Sequence, residues 1–153
     1  MKIRIEMSDS LQEEEIVRRC KELSNELINL QQTLMDLTNF KSKLLVESGE
    51  MQIYIEPGEI LFLESDSDGI SVHTSDAIYK SRDKLYELEQ ILPRTFMRIS
   101  KSAIVNTEKI RSVKKNITGA SELAFNESGK SVFASRNYIR LLLEKLEENR
   151  LRK

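Results

Sequence analysis

The chain has 153 residues, of which 39% are hydrophobic and 32% charged, and its 24 basic and 25 acidic residues leave a net charge of -1. That composition suits one ordinary folded domain with a short accessory segment, and the charge balance, taken whole, argues against a strongly basic nucleic-acid binder. A single cysteine and a single histidine exclude an intrachain disulfide and the usual zinc site. With no apolar run near membrane-span length and no apolar core in the N-terminal MKIRIEM, they point to the cytoplasm.

The N-terminal residues Met1, Ile3, Ile5 and Met7 alternate with Lys2, Arg4 and Glu6, the period of a half-buried strand. Asp9 and Ser10 mark a turn. Between Glu14 and Cys20 the spacing fits either a helix face or a short strand. Ser24 is placed to cap a helix whose stripe is Leu27, Ile28, Leu30, Leu34, Met35 and Leu37 and which fades between Thr38 and Lys43. Such a stripe is more often core or a dimer seam than a ligand site.

Near residue 47 the period changes. Met51, Ile53 and Ile55 alternate, and Pro57-Gly58 turns the chain. A buried-looking run from Ile60 to Leu63 ends in the polar loop Glu64 to Gly69. Ile70 and Val72 continue as a strand, Ser75-Asp76 turns, and Ala77 to Lys80 returns. Ser81 is placed to cap a helix carrying Leu85, Leu88, Ile91 and Leu92, which Pro93 ends. Short strands are predicted at Phe96–Ile99, Ala103–Val105, Ile110–Val113, Glu122–Phe125 and Ser131–Ala134. An amphipathic helix from Tyr138 to Leu151 follows.

The fold class is therefore mainly β with helices (α+β). Residues 1–46 form a strand-helix extension, a possible dimerisation or regulatory element, and residues 47–153 form the main domain.

The charges are sorted along this order. Residues 47–93 carry three basic and eleven acidic residues, whereas residues 94–153 carry fourteen basic and six acidic. The -1 is thus a cancellation, and such asymmetry hints at an anionic partner. Three basic turns stand out, each an ordinary polar loop if taken alone. Arg98-Ile99-Ser100-Lys101-Ser102 combines cations with hydroxyl donors. Ser135-Arg136-Asn137 repeats the chemistry at a strand-to-helix junction, where main-chain N–H groups and the helix dipole favour phosphate. Lys114-Lys115-Asn116 is the third. Nothing comparable suggests catalysis. His73 sits in a strand segment, and Glu64, Asp66 and Asp68 lack the further oxygen ligands of a calcium loop.

The run Phe96-Met97-Arg98-Ile99-Ser100-Lys101-Ser102-Ala103-Ile104-Val105-Asn106 resembles the most recognisable motif of LytTR-type DNA-binding domains. Upstream, Ile60-Leu61-Phe62-Leu63-Glu64-Ser65 is similar to that family's first core strand. Downstream, Val132-Phe133-Ala134-Ser135-Arg136-Asn137-Tyr138 is similar to its closing strand and junction. The resemblance covers roughly residues 47–150. It implies short antiparallel sheets that send three loops, rather than a recognition helix, into double-stranded DNA.

Carried onto this chain, those loops are Asp68-Gly69, Ser100-Lys101-Ser102 and Ser135-Arg136-Asn137. Arg136 is expected at a guanine edge and Lys101 at a base edge or phosphate. Ser102 and Asn137 are expected at phosphate, and Ser100, Ser135, Arg98, Lys115 and Gly69 complete the set. Two departures stand. Ser100-Lys101 replaces the His-Arg or His-Asn of many members, and Asp66 and Asp68 repel phosphate where the first loop often carries a basic or amide side chain.

No Asp-rich phosphorylation pocket is recognisable in residues 1–46. The resemblance therefore implies a bacterial regulator of promoter DNA restrained by a small membrane protein instead of by phosphotransfer, and the Leu27–Leu37 stripe is the candidate for its self-association as a homodimer. No catalytic residue, metal, cofactor or small-molecule substrate is expected. The competing reading is a protein-interaction adaptor or anti-regulator whose basic face binds an acidic protein.

Overall fold

The computed structural model of the chain describes residues 17, 19–22, 24–39, 43–126 and 128–151. The strand expected at Met1–Met7 lies outside them. Of the ambiguous stretch 14–20, the described residues Val17, Arg19 and Cys20 belong to neither helix nor strand. Helix α1 spans Asn25–Asn39. Its start is the one expected: the Ser24 hydroxyl oxygen accepts from the Leu27 N–H at 3.3 Å, satisfying a donor that has no partner inside the helix.

Seven strands form one antiparallel sheet: β1 Leu44–Ser48, β2 Met51–Ile55, β3 Ile60–Asp66, β4 Gly69–Thr74, β5 Ile78–Ser81, β6 Phe96–Ser100 and β7 Ala103–Asn106, in spatial order β2-β1-β5-β4-β3-β7-β6. Helix α2, Leu85–Ile91, lies between β5 and β6 in the chain. A second sheet holds β8 Ile110–Lys114, β9 Ser121–Phe125 and β10 Ser131–Ala134, in order β10-β9-β8, and helix α3, Arg136–Leu151, closes the fold.

The large sheet is buried on both faces where β3 and β7 run, which explains why Ile60 to Leu63 is continuously apolar instead of alternating. Leu63 and Ile104 point into one core with Val46, Ile70, Val72 and the α2 residues Leu85 and Leu88. Their neighbours Phe62 and Val105 point into the other, with Leu123, Phe125, Val132, Ala134 and Leu142 from the small sheet and α3. The run thus feeds two cores, Ile60 and Leu63 the first and Leu61 and Phe62 the second, with a bulge between Ile60 and Phe62 breaking strict alternation, and the small sheet with α3 forms the second layer.

Asn106, which ends the Phe96-to-Asn106 run, is 2% exposed. Its Nδ2 donates to the Ile60 carbonyl at 3.0 Å, and its Oδ1 accepts from the Glu108 N–H at 3.2 Å. It joins the end of β7 to the start of β3 and takes no outward position.

Three features depart from the sequence reading. Strand β1 straddles residue 46, so the change of period there falls inside the sheet. Gly49, at φ +60, closes the β1–β2 hairpin, a left-handed geometry that glycine adopts without steric cost. Ser81 does not cap α2. It is the buried last residue of β5, its hydroxyl accepts from the Asp83 N–H at 3.2 Å, and the cap position belongs to Lys84, without a side-chain bond. Helix α3 begins at Arg136, two residues before the expected Tyr138, because the Ser135 carbonyl accepts from both Tyr138 and Ile139 N–H groups at 3.0 and 3.1 Å.

Candidate nucleic-acid interface

Antiparallel strands put successive turns at opposite ends of a sheet, so register decides which loops meet. Glu64 pairs with Ala103 across β3 and β7, which sets the β6–β7 turn beside the β3–β4 turn. The Ser65 N–H donates to the Ser102 carbonyl at 2.7 Å and joins them. A bulge interrupts β6 between Arg98 and Ser100. Within it, the Ile99 carbonyl accepts from the Ser135 N–H at 2.8 Å, which ties the β10–α3 junction to the same end. In the small sheet, Lys114 pairs with Glu122 and Ser121 with Ala134. The loop carrying Lys115 therefore leaves the sheet at the end where Ser135 begins.

Most of the expected contact residues are open to solvent at this end. Lys101, Ser102, Lys115, Arg136, Asn137 and Gly69 are exposed, while Ser100 and Ser135 are half-buried. The turn is shaped by its own hydroxyls: the Ser100 oxygen accepts from the Ser102 N–H at 3.2 Å and lies 3.3 Å from the Ser102 hydroxyl. Arg136 opens α3, so its side chain stands beside the free N–H groups of the first helical turn. Arg98 is placed differently. Its guanidinium is turned inward onto Glu89 and the Lys101 carbonyl.

The acidic first loop is less repulsive than its sequence. Asp66 accepts from the Ser71 hydroxyl at 2.6 Å, the Asp68 N–H at 2.8 Å and the Lys80 ammonium at 3.1 Å. These bonds, led by that of Ser71, hold its carboxyl at about 2. Ser71 and Lys80 are cross-strand partners on β4 and β5, so the sheet neutralises the charge that β3 delivers. Gly69 sits at φ +115, and a Cβ there would meet only the Ser81 carbonyl oxygen at 3.9 Å, an ordinary contact, so the backbone conformation, not crowding, selects glycine there. Neither Lys80 nor Glu89 stands out in the sequence, because both acquire their partners only through tertiary contacts.

His73 packs in the second core, stacked on Phe62 with ring centroids 4.1 Å apart, and Phe62 stacks on Phe125 at 5.4 Å. Its Nδ1 is buried without a hydrogen-bond partner among the described residues. Burial above all, and then the nearby Lys130 ammonium, push its pKa down to about 4. Lys130 is itself held between the β4–β5 turn carbonyls of Thr74 and Ala77, at 2.8 and 2.7 Å. A histidine that titrates lower when folded than when unfolded stabilises the fold fully above its ordinary pKa of 6.5. That contribution is lost as the pH falls toward 4, because the unfolded chain binds the proton first. Urea denaturation should therefore show stability falling between pH 6.5 and 4, with the His73 part of the slope removed in His73→Leu. An unchanged slope in that variant would show that other groups cause the fall.

Among the described residues no three His, Cys, Asp or Glu side chains are grouped to hold a metal ion, and no helix is long and apolar enough to cross a membrane.

Comparison with known proteins agrees with this architecture. Residues 50–147 match the model of the LytTr DNA-binding domain. An uncharacterized HTH-type transcriptional regulator of Staphylococcus aureus strain NCTC 8325 is 30% identical over 107 residues, covering 69% of this chain and 72% of the relative. The sensory transduction protein LytT of Enterococcus faecalis is 29% identical over 108 residues, 69% of this chain but 44% of that longer protein. A LytTr DNA-binding domain structure from Bacillus cereus superposes with a TM-score of 0.61 at 23% identity, over 67% of this chain and 97% of that one. The "HTH-type" wording belongs to the relative; here five strands separate α2 from α3 in the chain, so those helices form no helix-turn-helix. With sheets, turns and family match in agreement, this chain belongs to the LytTr DNA-binding domain family and is a DNA-binding transcriptional regulator.

Proposed function

We propose that the chain works in the cytoplasm as a homodimer that reads double-stranded promoter DNA through the loops gathered at one end of its sheets. The observation that carries this reading is their convergence. Ser65 to Ser102 and Ser135 to Ile99 are main-chain bonds that hold three turns in one cluster with Lys101, Arg136 and Asn137 exposed. Arg136 would read a base edge, Lys101 a base edge or phosphate, and Ser102, Asn137 and Lys115 the backbone. Gly69 contributes main chain, and the Ser100 and Ser135 hydroxyls supplement the phosphate contacts. Self-association would use the N-terminal segment, 1–46 as read from sequence, where Ile28 and Met35 on α1 are about half exposed. Control would come from a restraining membrane protein, as the family resemblance implies.

Titration of duplex fragments from upstream of its own gene, across a salt series, tests the reading. Two or three cations on phosphate should give a log-log slope of roughly -2 to -3 per chain. Binding that ignores salt, or no binding to any such fragment at low salt, would overturn it. Sedimentation of the saturated complex reads the stoichiometry, and a single chain per duplex would contradict the dimer.

A further inference from the structure

Arg98 was expected at DNA from its place in the basic run, but three of its five donors are already used. Nε and Nη2 donate to Glu89 Oε2 of α2 at 3.1 and 2.8 Å, and Nη1 donates to the Lys101 carbonyl at 2.8 Å. The Arg98 side chain is only 18% exposed, whereas that of Glu89 is 47% exposed. The Lys101 carbonyl belongs to the turn itself, between the Ser100 hydroxyl that accepts the Ser102 N–H and the Ser102 carbonyl that accepts the Ser65 N–H. The β6 bulge that turns the Ile99 carbonyl toward Ser135 directly follows Arg98. One guanidinium therefore braces a helix on one side and a contact turn on the other.

We propose that Glu89 and Arg98 form a positioning latch: α2, through Glu89, orients Arg98, and Arg98 holds the Ser100–Ser102 turn in its DNA-reading shape. The proposal rests on the DNA-binding reading above and adds two positioning residues to it, one of them acidic. The chemistry suits this task better than phosphate contact. A guanidinium has five donors in a rigid plane and can bond a carboxylate and a carbonyl together, whereas an ammonium is a single point with no such fork. A preorganised turn also spares the ordering entropy that a loose one loses on binding.

The sign of one substitution separates this role from plain electrostatics. Removing an acid near a polyanion should by charge alone tighten binding. As part of the latch, Glu89→Ala should weaken it. The test uses the full chain, a duplex that the wild-type protein selects from a randomised pool, and an unrelated duplex of equal length. Glu89→Ala and Arg98→Ala should each weaken binding to the selected duplex roughly tenfold, the size of one lost charge-assisted bond. The double variant should bind no worse than the weaker single one, since the two act as a unit. Arg98→Lys should fail to restore affinity. Binding to the unrelated duplex and the salt slope should stay as in the wild type.

In the free protein, the amide NMR signals of Lys101 and Ser102 should shift in Glu89→Ala while the spectrum elsewhere stays folded. Unchanged or tighter binding by Glu89→Ala would overturn the latch. So would an Arg98→Lys variant of full affinity beside an Arg98→Ala variant whose salt slope drops by about one, the mark of a direct phosphate contact. If the wild type selects no duplex at all, the DNA reading fails, and the amide signals still decide whether Glu89 orders the turn.

Discussion

Replacing Arg136 by alanine is expected to weaken binding to a cognate duplex by about 1–3 kcal/mol and to relax base preference at one position of the site. Arg136 is exposed, and no hydrogen bond or ion pair occupies its guanidinium among the described residues. Its backbone is fixed twice over: the preceding Ser135 N–H is bonded to the Ile99 carbonyl, and the Ser135 carbonyl accepts from the N–H groups of Tyr138 and Ile139 in α3. A free fork on a rigid base is what bidentate reading of a guanine edge requires.

Arg136→Lys separates base reading from charge, since lysine keeps the cation and loses the fork. It should keep nonspecific affinity and lose discrimination. Lys101→Ala, by contrast, should weaken binding more evenly across sequences, to the extent that Lys101 contacts phosphate. Full affinity and unaltered base preference in Arg136→Ala, measured by titration of a set of single-base variants of the site, would remove Arg136 from the reading surface.

The largest expected loss of stability is at Leu142. Leu142→Ala should cost about 2–5 kcal/mol, because the leucine is fully buried and the cavity can only partly collapse. Leu142 is the buried residue that seats α3 in the second core, against Phe125, Val132 and Ala134. Its neighbour Leu141 is 53% exposed, so Leu141→Ala should change stability by roughly 0.5 kcal/mol or less. Urea denaturation of the two variants compares the faces of one helix within one turn. Equal losses would mean that α3 is not docked as described. Because α3 begins at Arg136, loosening Leu142 should also blur DNA discrimination at temperatures where the variant is still folded.

The parts of the fold that could be read from the sequence were those that short-range physics controls. Strands β6 to β10 begin and end within a residue or two of their expected positions, because each is bounded by turn residues. The Ser24 cap is a bond three residues long. Strand β1 escaped because Leu44-Leu45-Val46 follows the apolar stripe of α1, and a short apolar run has no period of its own. Its partners, Tyr54 and Ile53 on β2, lie beyond a turn.

The loops proposed to meet DNA were legible as a set, since basic and hydroxyl residues recur at turns. Which cation faces outward was not. Arg98 and Lys101 look alike in the sequence, yet Glu89, nine residues earlier and on a helix, claims the first and leaves the second exposed. Asp66 was misleading for the same reason: it reads as repulsive until β4 and β5 bring Ser71 and Lys80 to it. Charge in a linear sequence states how much is present, and only tertiary pairing states how much is left for a ligand.

Whether one cluster of loops meets DNA is measured most directly by an amide NMR titration of the isotope-labelled chain with a duplex that it selects. The largest shifts should fall together on Lys101 and Ser102, on Ser135 to Asn137, on the loop carrying Lys115 and on the Asp68-Gly69 turn. Shifts concentrated instead on the cleft lined by Arg94, Arg111 and Lys145 between β8 and α3, with the loop signals unmoved, would contradict contact through the loops.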